Sequence, residues 1–285
     1  MSAQNYDLHW AAMRMHMPAK LKNYYKLKKF SDEVYKLDFE NVVYHQDQKR
    51  PIKSLVYNEG SPNFNLFKLT PFGDMIIRFS VDDVWSSTAI DNDIFSKFSA
   101  MKNEKYHNAS KEIYIDRPYD LFFMQLSKTV DYAAMKDALI YAKNSKTFTI
   151  FKGHPLAADA PSTDAWNLFS GLHSEYSMFI SEANNHKLVQ NAKRVYSADS
   201  ATTLNAILLR KPVFTYRATD MFPIAPVITS AYEMSHIVPD EEVVARYLSW
   251  YLHKLCIDIN TNFSEKIERI ITMFNKGSTF SEIFR

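Results

Sequence analysis

From residue 121 to residue 216 the chain alternates short apolar runs with stretches of helical spacing. No other feature narrows its possible folds as far. Leu121-Phe122-Phe123-Met124 is apolar at every position, the pattern of a strand covered on both faces. Residues 131–144 follow, with Met135, Ala138, Leu139 and Ala142 on one helical face. Residues 148–151 read as the next strand, 166–176 as a helix and 177–180 as a strand. Then come a short helix at 186–192, a strand at Val195-Tyr196 and a helix at 202–210 carrying Leu204, Ile207 and Leu208. Pro212 stops that helix, and 213–216 is the last strand. Such alternation predicts a parallel sheet with right-handed crossovers.

Two strand ends in this region carry chemistry. Phe148-Thr149-Ile150-Phe151 runs into Lys152-Gly153-His154-Pro155, and Arg194-Val195-Tyr196 runs into Ser197-Ala198-Asp199-Ser200 and a helix. In a parallel sheet both turns fall at the carboxyl edge, where ligands bind. An ammonium and an imidazole suit phosphate oxygens. Ser197, Ser200 and Thr202 lie where a helix N-terminus offers unpaired N–H groups to an anion. Both serines are also ordinary helix caps. Arg210 and Lys211 close the last helix, where cations suit its negative end, and Arg217 just beyond the last strand is a further candidate phosphate contact.

The remaining sequence frames this half. The first 39 residues are basic and helical in pattern, with Lys22, Lys26 and Lys29 beside Tyr24, Tyr25 and Phe30. Residues 41–45, 54–57 and 75–81 read as strands, and 90–112 as mixed helix and loop. Val244, Tyr247, Leu248, Tyr251, Leu252 and Leu255 form an amphipathic stripe behind Asp240, with Cys256 inside the same helical pattern. A second stripe, 263–274, ends at Gly277. The expected plan is two α/β halves, 1–115 and 116–285, with a ligand in the cleft between them.

With 285 residues and 46% hydrophobic composition the chain can bury a sizeable core. A net charge of +2 is too small to announce a polyanion partner by itself. A single cysteine leaves no disulfide within the chain, which predicts a reducing, cytoplasmic setting. No signal segment is read at the N-terminus and no apolar run approaches the ~20 residues of a membrane span. No Cys/His spacing suggests a metal site.

The motifs form an ordered series: Leu121–Gln125, Lys152-Gly153-His154-Pro155, Ser197-x-x-Ser200, and Ala206-x-x-Leu209-Arg210-Lys211-Pro212-Val213. The series resembles the nucleotide-sugar half of the bacterial capsule-polysaccharide Kdo transferases and their GT-B relatives. Those proteins carry a Lys-x-His-Pro loop, a Ser-rich turn and a Gly-Lys-Pro-Val strand start. Arg210 stands where a glycine is usual. Tyr57-Asn58-Glu59-Gly60 and Val81-Asp82-Asp83 resemble the family's acidic loop and the strand end that follows it.

The resemblance implies an α/β GT-B-like fold of two Rossmann-type halves with parallel sheets and a helical C-terminus. It implies a transferase that uses a UDP- or CMP-linked sugar as co-substrate, with no other cofactor and no metal. Glu59 falls at the catalytic carboxylate position, with Asp82, Asp83, Asp91 and Asp93 as the runners-up; Asn58 replaces the first acidic residue of the loop. Lys152, His154, Ser197, Ser200, Thr202 and Arg217 would hold the donor. Lys22, Lys26 and Lys29 could neutralise nucleic-acid phosphates. The Lys-, Asn-, Tyr- and Phe-rich composition is similar to that of tailed-phage early proteins. These observations favour a hydroxymethylated cytosine in duplex DNA as acceptor. A bacterial surface glycan is the alternative, and a non-catalytic nucleic-acid-binding protein the rival.

Overall fold

The computed structural model describes residue 32 and residues 42–44, 55–59, 66–71, 84–99, 113–124, 128–153, 163–181, 183–198, 201–217 and 219–285. Contacts divide the chain into two compact units. One is Asn92–Ala245; the other joins the chain up to Asp91 with Arg246–Arg285. The expected boundary at 115/116 in chain order is a different division, because the last forty residues return to the first unit.

The second unit carries the parallel sheet that the alternation predicts. Its strands are β4 (Asp120–Phe123), β5 (Thr149–Lys152), β6 (Ser177–Ile180), β7 (Arg194–Ser197) and β8 (Val213–Thr215). Every pairing is parallel, in the order β6-β5-β4-β7-β8. Between the strands run α2 (Lys128–Ser145), α3 (Thr163–Leu172), α4 (Asn185–Asn191) and α5 (Ala201–Leu208); α1 (Ile94–Ser99) precedes the sheet and packs on α5. The first strand in sequence lies at the centre, and the chain winds first to one side and then to the other. That is a doubly wound α/β arrangement with its reversal between β4 and β7.

Strand period two sorts the core. Register puts Phe151 beside Phe122, Phe122 beside Tyr196, and Tyr196 beside Phe214. This aromatic row forms one core with Met135, Ala138 and Leu139 of α2 and Phe169 of α3. Phe122 packs on Phe151 at 5.2 Å, edge-on to Tyr196 at 5.0 Å and flat on Tyr216 at 5.3 Å. Every residue of β4, β5 and β8 is buried. At the amino end Arg194 grips Asp120 with two hydrogen bonds, Nε to Oδ1 at 3.0 Å and Nη2 to Oδ2 at 2.7 Å. Burial pushes the Asp120 carboxyl up while the guanidinium pulls it back.

The first unit has a four-stranded sheet of β1 (Val42–Tyr44), β2 (Leu55–Glu59), β3 (Leu66–Pro71) and β9 (Cys256–Asp258), in that order. The resemblance implies a parallel sheet here, and only β1–β2 is parallel. The β2–β3 and β3–β9 pairs are antiparallel. The connection from Glu59 to Leu66 is too short for a parallel crossover, which takes a dozen or more residues. Strand β3 was not among the expected strands, and the expected strand at 75–81 lies outside the described residues.

The sheet is completed from the other end of the chain. Helix α6 (Glu241–Trp250) starts where Asp240 Oδ1 accepts from the N–H groups of Glu242 (2.9 Å) and Val243 (3.3 Å). It widens into a π turn at Tyr251–Leu255, and Cys256–Asp258 then pairs with β3. Cys256 thus lies in a strand, not in the expected helix. Helix α7 (Ser264–Asn275) ends as its glycine predicts: Gly277 adopts φ 81°, and Ser278 N–H reaches Met273 O at 3.0 Å. A final turn of helix, α8 (Phe280–Phe284), accepts at Phe284 O from Trp250 Nε1 at 3.0 Å. Among the described residues no helix is long and apolar enough to cross a membrane.

Candidate functional site at the carboxyl edge of the parallel sheet

Parity fixes what gathers at the carboxyl edge. Opposite the aromatic row, register aligns Lys152 with Phe123, and Ser197 with Thr215. Lys152 and Ser197 therefore belong to the same face, two strand spacings apart across β4, about 10 Å. Helix α5 follows β7 and packs against β7 and β8. It begins at the reversal of strand order, where a doubly wound sheet opens a crevice.

Lys152 is only 2% exposed. Its ammonium donates to Gly153 O at 2.7 Å and to Ser181 O at 2.9 Å, tying together the carboxyl ends of β5 and β6. Two of its three donors are thus committed to backbone. Gly153 is there for the same junction: a Cβ would meet Phe179 Cζ at 3.2 Å. His154, the next residue, lies outside the described residues.

Ser197 is fully buried, and its hydroxyl accepts from Thr203 Oγ1 at 3.3 Å. That bond fastens the first turns of α5 to the end of β7. Thr202 is buried in the first turn. Ser200, directly before α5, lies outside the described residues, as do Asp83, Lys22, Lys26 and Lys29. Glu59 is the last residue of β2, in register with Phe67. Arg217 stands exposed two residues past β8. The structure thus brings Lys152, Ser197 and Thr202 to one edge, with Arg217 just past the end of the next strand, β8.

Two residues at this edge were missed by sequence reasoning. The Tyr216 hydroxyl crosses over β7 to donate to Phe123 O at 3.1 Å, pinning the central strand's end from β8. Thr203 anchors α5. Only parity could have flagged either one: Tyr216 continues β8, and Thr203 sits one helical position past Thr202. Among the described residues no group of three His, Cys, Asp or Glu is spaced to hold a metal ion.

No protein-family model matches the chain. No curated protein matches it by sequence. Solved structures do. A Thermosulfurimonas dismutans protein, KpsC, a beta Kdo 2,7 transferase, is 10% identical over 76% of this chain and 78% of its own, with a TM-score of 0.44. The Escherichia coli heptosyltransferase WaaC with an ADP-heptose analogue is 14% identical over 40% of this chain and 37% of its own, at 0.29. A Methanocaldococcus jannaschii UDP-GlcNAc 2-epimerase in complex with UDP-GlcNAc and UDP is 16% identical over 66% of this chain and 49% of its own, at 0.30.

Proposed function

We propose that the chain is a glycosyltransferase that takes a sugar from a nucleotide-sugar donor and delivers it to a hydroxyl acceptor. The observation that carries this reading is the β7–α5 turn, rich in hydroxyls, at the reversal point of a doubly wound parallel sheet. Such a turn offers the N–H groups of a helix start to a diphosphate. Ser200 and His154 supply further donors in this reading. Lys152 contributes positive charge from beneath and fixes the backbone from which His154 starts. Ser197 acts through Thr203 by holding α5 in place.

Transfer to a hydroxyl needs a carboxylate to take the acceptor's proton. Glu59 is the proposed base, and Asp83 the second candidate. The proposed acceptor is a carbohydrate hydroxyl of the surface-glycan type, which the motif series favours. Support for a hydroxymethylated DNA base rests on the basic segment of Lys22, Lys26 and Lys29, and nothing among the described residues adds to it. That acceptor is kept as an arm of the test.

Thermal unfolding with millimolar UDP, CMP and ADP tests the donor site. A ligand at a hundred times its Kd stabilises by about 2.7 kcal/mol, and Ser200→Ala and His154→Ala should reduce the shift. Mass analysis after incubation with nucleotide sugars and either oligosaccharide or hydroxymethylcytosine DNA identifies the acceptor. Glu59→Gln should lose ~10²–10⁴ in kcat with donor binding intact. No nucleotide shift and no transfer in any arm would remove the reading.

A further inference from the structure

The two strands that flank the reversal part before they end. The β4–β7 ladder closes at Phe122–Tyr196. Phe123 of β4 and Ser197 of β7 lie one residue beyond it. Each is paired on its outer side instead, Phe123 with Lys152 of β5 and Ser197 with Thr215 of β8. Tyr216 reaches both of these ends. Its N–H donates to Ser197 O at 3.2 Å, and its hydroxyl donates to Phe123 O at 3.1 Å. Between the two bonds the ring lies flat on Phe122, 5.3 Å away at an interplanar angle of 5°, and edge-on to Tyr196 at 5.2 Å. One residue thus spans the opening between β7 and β4 at the carboxyl edge.

We infer that Tyr216 is a positioning residue that sets the separation of the two turns flanking the crevice, and so its readiness for a nucleotide; the inference rests on the transferase reading above. Beyond Phe123 the chain leads to α2, and beyond Ser197 to α5. The ladder between β4 and β7 does not extend to these two residues, so it leaves their spacing to side chains. The Thr203–Ser197 bond fastens α5 to its own strand only. Tyr216 ties that strand's end to β4. Packing on Phe122 and Tyr196 holds the ring in one orientation, so the hydroxyl meets Phe123 O without a further loss of side-chain freedom. Hydrogen bonds weaken steeply outside a narrow range of distance and angle, so donors on the α5 turn hold a phosphate well only from a set position. A crevice set in advance spares the ligand the cost of ordering it. In this role Tyr216 touches no ligand and acts through the Phe123 and Ser197 carbonyls.

Tyr216→Phe keeps the ring and removes the hydroxyl. Titration calorimetry on the full chain with UDP, CMP and ADP should show Kd raised about tenfold for each nucleotide that the wild type binds. Hydrogen exchange without ligand should rise about tenfold at two amides of the carboxyl edge, the Met124 N–H on Lys152 O and the Tyr216 N–H on Ser197 O. It should stay unchanged at the amino edge, where the Asp120 N–H donates to Phe148 O. Tyr119→Phe is the control. The Tyr119 hydroxyl makes a buried bond too, to Leu188 O at 2.8 Å, but this residue stands directly before β4, at its amino end. Its loss should lower stability to a similar extent and leave nucleotide affinity unchanged. Wild-type affinity in Tyr216→Phe would overturn the proposal, as would equal weakening in Tyr119→Phe or an even rise in exchange at both edges. A wild type that binds none of the three nucleotides removes the transferase reading instead, and the contrast in exchange between the two edges then decides alone whether Tyr216 holds the strand ends.

Discussion

Arg210 stands where the resembling family has glycine, and its backbone shows why a glycine suits the position. It has φ 56°, a left-handed setting that costs L-residues roughly 1–2 kcal/mol. Its N–H reaches Ile207 O at 2.8 Å and the Lys211 N–H reaches Ala206 O at 3.0 Å, closing α5 as a Schellman motif. Its side chain offsets the strain. Nη1 pairs with Glu241 Oε1 at 2.9 Å, and the guanidinium lies 4.5 Å from the Phe95 ring centroid. The ion pair is exposed and weak, so most of the offset is the stacking on Phe95. Arg210→Gly should therefore leave stability within about 1 kcal/mol of wild type, because strain and contacts are lost together. Arg210→Ala should cost about 1 kcal/mol or more, since the strain stays and the contacts go. Urea denaturation of both variants checks this; an alanine variant as stable as the glycine one would contradict it. The sequence shows the departure from glycine, but Phe95 and Glu241, which offset it, come from distant parts of the chain.

Regular elements were legible where one period ran without interruption. Strand β6 matches its expected span, and β4, β5, β7 and β8 fall within a few residues of theirs, because apolar runs bounded by turn residues leave few alternatives. The end of α6 was not legible. The stripe from Val244 to Leu255 continues through the π turn, so periodicity passes over the point where Cys256-Ile257-Asp258 leaves the helix. What decides the change is pairing with β3, some 190 residues earlier, together with Lys266. That lysine donates to His253 O at 3.0 Å and Cys256 O at 2.7 Å, satisfying carbonyls freed where the helix ends. Burial holds its pKa below the ordinary 10.5, at about 8. Between these values the unfolded chain keeps the proton that the folded chain has lost. This group's contribution to stability therefore rises with pH from about 8 to 10.5. The stability difference between wild type and Lys266→Met, measured by denaturation at successive pH values, should move in favour of wild type across that window. A constant difference would show that Lys266 titrates as an ordinary lysine.

The two units differ in how the chain builds them, and this explains which of them could be read in advance. The second is one continuous segment, Asn92–Ala245, whose sheet alternates strand and helix in order. The first needs its last strand from the far end of the chain, a pairing that no local pattern announces. The candidate donor site follows the same division. Lys152, Ser197, Thr202 and Arg217 all belong to the continuous unit, so their neighbourhood was legible, while Glu59 belongs to the other. The division predicts what can be cut. A fragment of residues 92–245 keeps the whole parallel sheet, the aromatic core around Phe122, the Asp120–Arg194 pair and the Arg210–Glu241 contact. It should fold, with a cooperative thermal transition and native-like circular dichroism, and it should retain the nucleotide-induced shift proposed for the full chain. The complementary deletion, residues 246–285 removed from the full chain, takes away β9 and with it β3's second partner. It also removes Trp250, a fully buried side chain whose indole N–H is bonded to Phe284. That deletion should unfold the first unit while leaving a transition for the second. A folded fragment 92–245 that gives no shift, beside a full chain that does, would mean that the donor site draws essential residues from outside this unit. The β7–α5 turn would then be insufficient as the seat of the diphosphate.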